Sequence, residues 1–243
     1  MRLSRPASVW GFVLLAALGL ALHRTGWIDE ILSYRREIAH LSLQHAVLVL
    51  LSGGPAVIVG VLVGILLGRD AMRRVAEPIM QVLNVGATIP TLAIIALSMT
   101  FLGIGRPPAL FALFLHALLP IVRNTYQGIR SVPRHLIEAA RGMGMTPRQM
   151  LWCVELPNSL FVIMTGIRVA LVINVGVAPL AFLVGGGGLG DLIFSGIDLF
   201  EPAMMLAGAI PTVMFAVFAD AALSRLTALV VPRGVVARSR DCW

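Results

Sequence analysis

Long apolar stretches recur along this chain, at residues 9–22, 46–67, 79–102, 107–122, 160–184 and 202–231. A bilayer core is crossed by about 20 apolar residues as helix. Six such segments in one chain of 243 residues predict an all-α, polytopic membrane bundle. Several spans carry helix breakers: Gly53-Gly54-Pro55 breaks the second and Pro90 lies in the third. Such residues are tolerated in a membrane where neighbouring helices satisfy the freed backbone groups, so the spans should pack together.

The polar residues are too few for any other solvent. Charged residues make up 13% and hydrophobic ones 58%, against about 25% charged in soluble domains. Mean hydropathy is +0.91. A soluble enzyme, a disordered chain and a disulfide scaffold are excluded. The net charge of +7 comes from arginine, with no lysine. It sits in short loops between apolar runs, the pattern of membrane topology rather than of nucleic acid binding. With the N-terminus inside, the inner segments hold 13 arginines, from Arg2 and Arg5 through Arg69 and Arg123 to Arg240, and the outer segments hold 4: Arg24, Arg35, Arg36 and Arg106. This places both termini in the cytosol and makes residues 123–158 the largest cytosolic loop. Cys153 and Cys242 then lie in cytosolic segments, where a structural disulfide is not expected. The first span has an alternative reading as a cleaved signal peptide, with a basic start and small residues near Ala21.

The cytosolic loop has a helical grammar of its own. Pro133 suits a first turn; Leu136, Ala140 and Met143 share a face; Gly144 suits a left-handed C′ position. Thr146-Pro147-Arg148-Gln149 reads as a capping box opening a second short helix, which should run to about Val154, before Pro157. A loop folded this way serves either as a docking surface for a soluble partner or as a connector lying on the membrane face. A P-loop needs a lysine to reach the terminal phosphates. This chain has none, so if ATP drives its work another subunit binds the nucleotide.

Glu138-Ala139-Ala140, Gly144, Val154 and Leu156-Pro157 occur at the spacing of the EAA loop, and here the chain resembles the permease subunits of ATP-binding cassette importers. Val154 stands where isoleucine is commoner in that motif. The resemblance implies a MetI-like permease fold, with residues 1–45 as a first transmembrane helix and outer loop, 46–231 as the permease core and 232–243 as a cytosolic tail. It implies that Glu138, Ala139, Ala140, Gly144, Val154, Leu156 and Pro157 dock onto an ATPase subunit. It also implies a soluble binding protein that delivers solute, dimerisation with itself or a similar permease, residence in the inner membrane, and no cofactor of its own. Ile89-Pro90-Thr91-Leu92, the segment 102–110, Leu119-Pro120-Ile121-Val122-Arg123-Asn124-Thr125 and Gly187-Gly188-Leu189-Gly190 resemble the branch that imports glycine betaine, choline and carnitine. The alternatives are a permease for an amino acid or other small polar solute, and, from a different class, a membrane-embedded enzyme. The latter needs a catalytic cluster at one depth, and no Ser-His-Asp, paired-carboxylate or zinc pattern stands out.

Four further features carry two readings each. Gly185 to Gly190 formally matches G-x-G-x-x-G, but an apolar helix precedes it where a dinucleotide site needs a strand, so a turn or close packing at the outer face is the better reading. Gly60, Gly64 and Gly68 repeat every four residues, which lets helix backbones approach within the bundle or across a dimer. Arg168 and Asp220 lie inside apolar stretches, where an ionisable group marks a pathway or a structural bond. Asn84, Thr88, Thr91 and Asn174 join Arg168 as candidates to line a pathway, or equally to bond helix to helix. His116, alone in its span, reads as a satisfied buried histidine.

Overall fold

A computed structural model describes residues 27–231. The first span at 9–22, its signal-peptide alternative, and the tail from 232 lie outside the described residues. Within them the chain is helical. Helix α1 (Trp27–Ser33) leads into α2 (Arg35–Gly68), and a short 3-10 turn (Asp70–Met72) into α3 (Arg73–Gly86). Then come α4 (Thr91–Leu102), α5 (Arg106–Arg130), α6 (Arg134–Gly142) and α7 (Pro147–Met150). Helix α8 (Leu156–Val177), α9 (Gly190–Asp198) and α10 (Pro202–Val230) complete the described residues. Four helical segments are long and apolar enough to cross a membrane, and the pair Asp70–Gly86 and Thr91–Leu102 makes a fifth, broken one.

Helices α2, α5 and α8 form the centre. Ala56, Ala117, Ile121, Ile163, Ile167 and Ala170 meet in the core between them. The small-residue stripe explains how closely α2 and α5 pack. A Cβ at Gly60 would lie 2.7 Å from Ile121 Cγ2, one at Gly64 2.9 Å from the Val122 carbonyl, and one at Gly68 2.8 Å from Ile129 Cγ2. Internal packing is thus what the repeat does. Without a hydrophobic driving force between helices in lipid, such close van der Waals contact is what holds them.

The expected break at Gly53-Gly54-Pro55 does not occur. Helix α2 runs unbroken through Pro55, and it starts at Arg35, inside the segment expected as outer loop. Pro55 costs one backbone bond, and the packed neighbours hold the helix straight enough to keep the rest. Gly53 lies against α8, where a Cβ would come 2.6 Å from Leu171 Cδ2. Ser52 beside it accepts from Asn174 Nδ2 at 2.9 Å, tying α2 to α8. A contact between helices, not a kink, is the use of this sequence.

The third span, by contrast, turns a corner. Its two halves meet at 98° around Pro90. Proline lacks an amide hydrogen and disfavours helical geometry in the residue before it. Pro90 therefore acts as the N-cap of α4, with φ −59° and ψ 134°. The fourth span is longer than its apolar run: α5 continues through Arg123 to Arg130, so the connecting loop starts at Ser131 rather than at Arg123. The fifth keeps α-helix only to Val177 and finishes as a 3-10 segment, Ala178–Val184. The Gly185 to Gly190 segment follows that apolar helical segment and packs on α2, where the Gly188 amide donates to Gln44 Oε1 at 3.1 Å. No strand precedes it, so it is not a dinucleotide loop.

Candidate functional site

The loop between α5 and α8 is a helix, a tight turn and a second helix. Helix α6 ends in a full Schellman motif: the Gly144 amide donates to the Arg141 carbonyl at 3.0 Å and the Met145 amide to the Ala140 carbonyl at 3.1 Å. Gly144 has φ +75° and open space around the position a Cβ would take. The capping box at Thr146 is present in both halves, with the Thr146 amide donating to Gln149 Oε1 at 2.8 Å and the Gln149 amide to Thr146 Oγ1 at 3.3 Å.

Two details depart from the sequence reading. Ala140 is buried and Leu136 half-buried, but Met143 is 69% exposed, because the chain leaves the helix at Gly142 and turns away. The second loop helix does not stop before Pro157. It passes through a π-helical turn, Leu151–Glu155, directly into α8. In an α-helix the residue 157 amide would donate to the Cys153 carbonyl, and proline has no such donor. The wider π turn shifts the pairing, with the Leu156 amide donating to Leu151, and Asn158 Nδ2 then caps the Val154 carbonyl at 2.7 Å.

This continuity divides the motif. Glu138, Ala139 and Gly144 are exposed on the loop hairpin. Val154 sits in the π turn, while Leu156 packs against the bundle core and Pro157 forms the root of the span. Sequence reasoning missed Trp152, which is 64% exposed and, like Met143, is an apolar side chain left uncovered on this loop. The hairpin is tied to the bundle by Arg69, whose Nη2 donates to the Pro147 carbonyl at 3.2 Å, and a cleft opens between α6 and the ends of α2 and α5. Arg130 pairs with Asp70 there at 3.1 Å.

Glu155, in the same cleft, is held above its ordinary range by burial, with Arg69 acting in the opposite direction. A carboxyl whose folded-state pKa is raised binds more protons folded than unfolded, so stability falls as pH rises from the ordinary carboxylate range through the raised value. Glu155→Gln is expected to flatten this loss, giving a variant at least as heat-stable as the parent at neutral pH and no more stable at acid pH. Thermal unfolding of the detergent-solubilised protein at the two pH values checks it.

A second cleft, of about 360 Å³, opens beside the corner of α3 and α4. Its polar lining is Asn84 from α3 and His116, Arg123, Asn124 and Gln127 from α5. Thr91 reaches its edge through His116, with Oγ1 and Nδ1 3.0 Å apart. Thr88 lies at the corner and donates to the Val85 carbonyl at 2.7 Å. The two other pathway candidates are elsewhere. Asn174 is fully buried in its bond to Ser52. Arg168 forms a bidentate pair with Asp220 on α10, both bonds 2.6 Å. His116, Arg123, Asn124 and Gln127 were not among the pathway candidates. The signal was there in the spacing of residues 116, 120, 123 and 127, which put one face of α5 in line.

The Arg168–Asp220 pair lies within two spans, with side chains 37% and 42% exposed at the bundle surface. Removing one partner leaves a lone charge with only lipid or a neighbouring helix to meet it. Arg168→Gln and Asp220→Asn are each expected to lower the thermal midpoint more than the double substitution does. A double-mutant cycle by thermal unfolding measures the coupling, and additive losses would show the pair to be independent.

Residues 60–233 match the model of the family described as binding-protein-dependent transport system inner membrane component. The chain belongs to this family. The permease is 49% identical to the osmoprotectant import permease protein OsmY of Salmonella typhimurium, over 89% of this chain and 92% of that one. It is 43% identical to the carnitine transport permease protein OpuCB of Listeria monocytogenes, over 86% and 96%, and 41% identical to the choline transport system permease protein OpuBB of Bacillus subtilis, over 82% and 91%. Its fold matches the permease chain of the inward-facing MetNI methionine ABC transporter with a TM-score of 0.72, 24% identity, and coverage of 80% and 96%. The permease is therefore a multi-pass inner-membrane importer subunit, not an enzyme, and its kind works with an ATPase and a solute-binding protein.

Proposed function

We propose that this permease carries a quaternary-amine osmoprotectant, such as glycine betaine or choline, inward across the membrane. The observation that carries the reading is the near-full-length similarity to relatives named for osmoprotectants, carnitine and choline, at 41–49% identity. Two copies, or this chain and a similar permease, enclose the pathway, and the cleft beside the α3–α4 corner forms this chain's share of it. Asn84, Thr88 and Thr91 serve the pathway, with His116, Arg123 and Gln127 beside them. Arg168 and Asn174 serve the bundle instead, as their bonds to Asp220 and Ser52 indicate.

Energy enters from the cytosol, where the loop hairpin docks an ATPase subunit. Glu138, Ala139 and Gly144 supply the contact surface, and buried Ala140 holds it to the bundle. Val154, Leu156 and Pro157 join the docked hairpin to α8 without a break, so movement of the hairpin is passed to the span. The arginine count supports cytosolic N- and C-termini. ATP binding and hydrolysis in the partner then shift the population between two packings of the bundle.

The test is uptake by proteoliposomes holding the permease, its ATPase and its binding protein. Glycine betaine or choline is expected to accumulate in an ATP-dependent way, and the transporter is expected to rescue growth at high osmolarity. Uptake confined to methionine would leave the permease standing and remove the osmoprotectant reading.

A further inference from the structure

Among the described residues, Arg123 is the charged side chain in the lining of the α3–α4 cleft, and no aspartate or glutamate lines it. Among the described residues the ion pairs are Arg130 with Asp70 and Arg168 with Asp220. Arg168 is thus neutralised within the bundle, whereas Arg123 keeps its guanidinium exposed in the cleft. It stands seven residues before the end of α5, about 10 Å along the helix axis. His116 and Gln127 flank it on the same face.

This lining treats the two ends of a zwitterion differently. A quaternary ammonium is recognised by aromatic faces or by carboxylates. Among the described residues no Phe, Tyr or Trp lines the cleft, and the His116 imidazole is engaged with Thr91. A carboxylate, however, meets a planar five-donor fork that matches it bidentately. The same guanidinium charge that attracts a carboxylate repels a bare cation. A volume of about 360 Å³ suits a small solute.

We propose that Arg123 makes this cleft a carboxylate-binding site, through which the permease itself favours zwitterionic quaternary amines over quaternary cations that lack a carboxylate. The proposal rests on the cleft being part of the solute pathway, and it adds a second selection to the one made by the binding protein.

The test reads the cleft directly, without the binding protein. Ala87, which also lines the cleft, is replaced by cysteine in a background with Cys153→Ser and Cys242→Ser. The permease–ATPase complex in nanodiscs is labelled with uncharged N-ethylmaleimide, with glycine betaine or choline added at rising concentration. Glycine betaine is expected to slow labelling at about tenfold lower concentration than choline, the scale of one charged hydrogen-bonded contact. Arg123→Gln should raise the betaine concentration needed by about tenfold and bring choline level with it. Arg123→Lys should keep the preference in part, since it retains the charge and loses the fork. Retention of the ATPase shows that each variant is folded, and if Arg123→Gln does not assemble, the two-solute ratio and the lysine variant decide. Equal protection by the two solutes in the Arg123 protein, or betaine protection unchanged in both variants, overturns the proposal. If neither solute protects Ala87→Cys in any variant while the complete transporter imports betaine, the pathway assignment fails and the site with it, but the osmoprotectant function stands.

Discussion

Gly144→Val is expected to leave the permease inserted and folded while abolishing copurification of the ATPase and, with it, uptake. The cause is backbone geometry. Gly144 holds φ +75° at the C′ position of a Schellman motif, and its two amide bonds close the turn between α6 and α7. A left-handed conformation costs an ordinary residue roughly 1–2 kcal/mol, and a β-branched one is a genuine outlier there. Nothing lies within 4 Å of the added Cβ, so no clash spreads into the bundle. The turn relaxes to negative φ instead, and the second loop helix leaves at a different angle. Because that helix is continuous with α8 through the π turn, the exposed hairpin and the root of the span no longer face a partner together. Gly144→Ala should show the same defect, more weakly. Glu138→Ala should be milder than Gly144→Val, since it removes a polar contact and leaves the turn intact. The measurement is ATPase copurification and solute uptake at matched membrane levels. Wild-type values of both in Gly144→Val would make the hairpin a passive connector.

Gly64→Leu is expected to do the reverse: to destroy the bundle rather than its docking. At Gly64 a Cβ alone would lie 2.8 Å from Thr125 Cγ2 and 2.9 Å from the Val122 carbonyl. Backbone on the facing helix cannot move aside as a long side chain can. Overpacking of a tight core commonly costs 1–3 kcal/mol, and forcing two central helices apart should reach or exceed the top of that range. The contact is repeated one turn away on either side, by Gly60 on Ile121 and Gly68 on Ile129, so the helices cannot pivot around a single bulge. The variant should be recovered at much reduced level in the membrane and lose its thermal transition. Gly54→Leu, at a position with nothing within 4 Å, is the control and should be tolerated. Equal yield and stability of Gly64→Leu and Gly54→Leu would show that the stripe does not set the α2–α5 distance.

Much of this molecule was legible one residue at a time. The apolar runs gave the spans because lipid offers no partner to a peptide group. The Gly144 turn and the Thr146 capping box were legible because each is a local device whose bonds close within five residues. The motif from Glu138 to Pro157 led to the family by its spacing, and the family match agrees.

Other features depended on what stands opposite in space. Gly53-Gly54-Pro55 reads as a break in isolation, but Leu171 and Asn174 of α8 make it a packing face. Arg168 and Asn174 look like pathway groups until Asp220, 52 residues on, and Ser52, 122 residues back, take their hydrogen bonds. Conversely, His116, Arg123 and Gln127 gain their shared cleft because α3 and α4 bend by 98° around Pro90 and expose that face of α5. The solvent, the apolar runs and the turns that close locally are properties of neighbouring residues and can be read along the chain. Which polar side chains are spent on other helices, and which line the cleft beside Pro90, followed from the tertiary packing, since a hydrogen bond or ion pair depends on distance in space and not on separation along the chain.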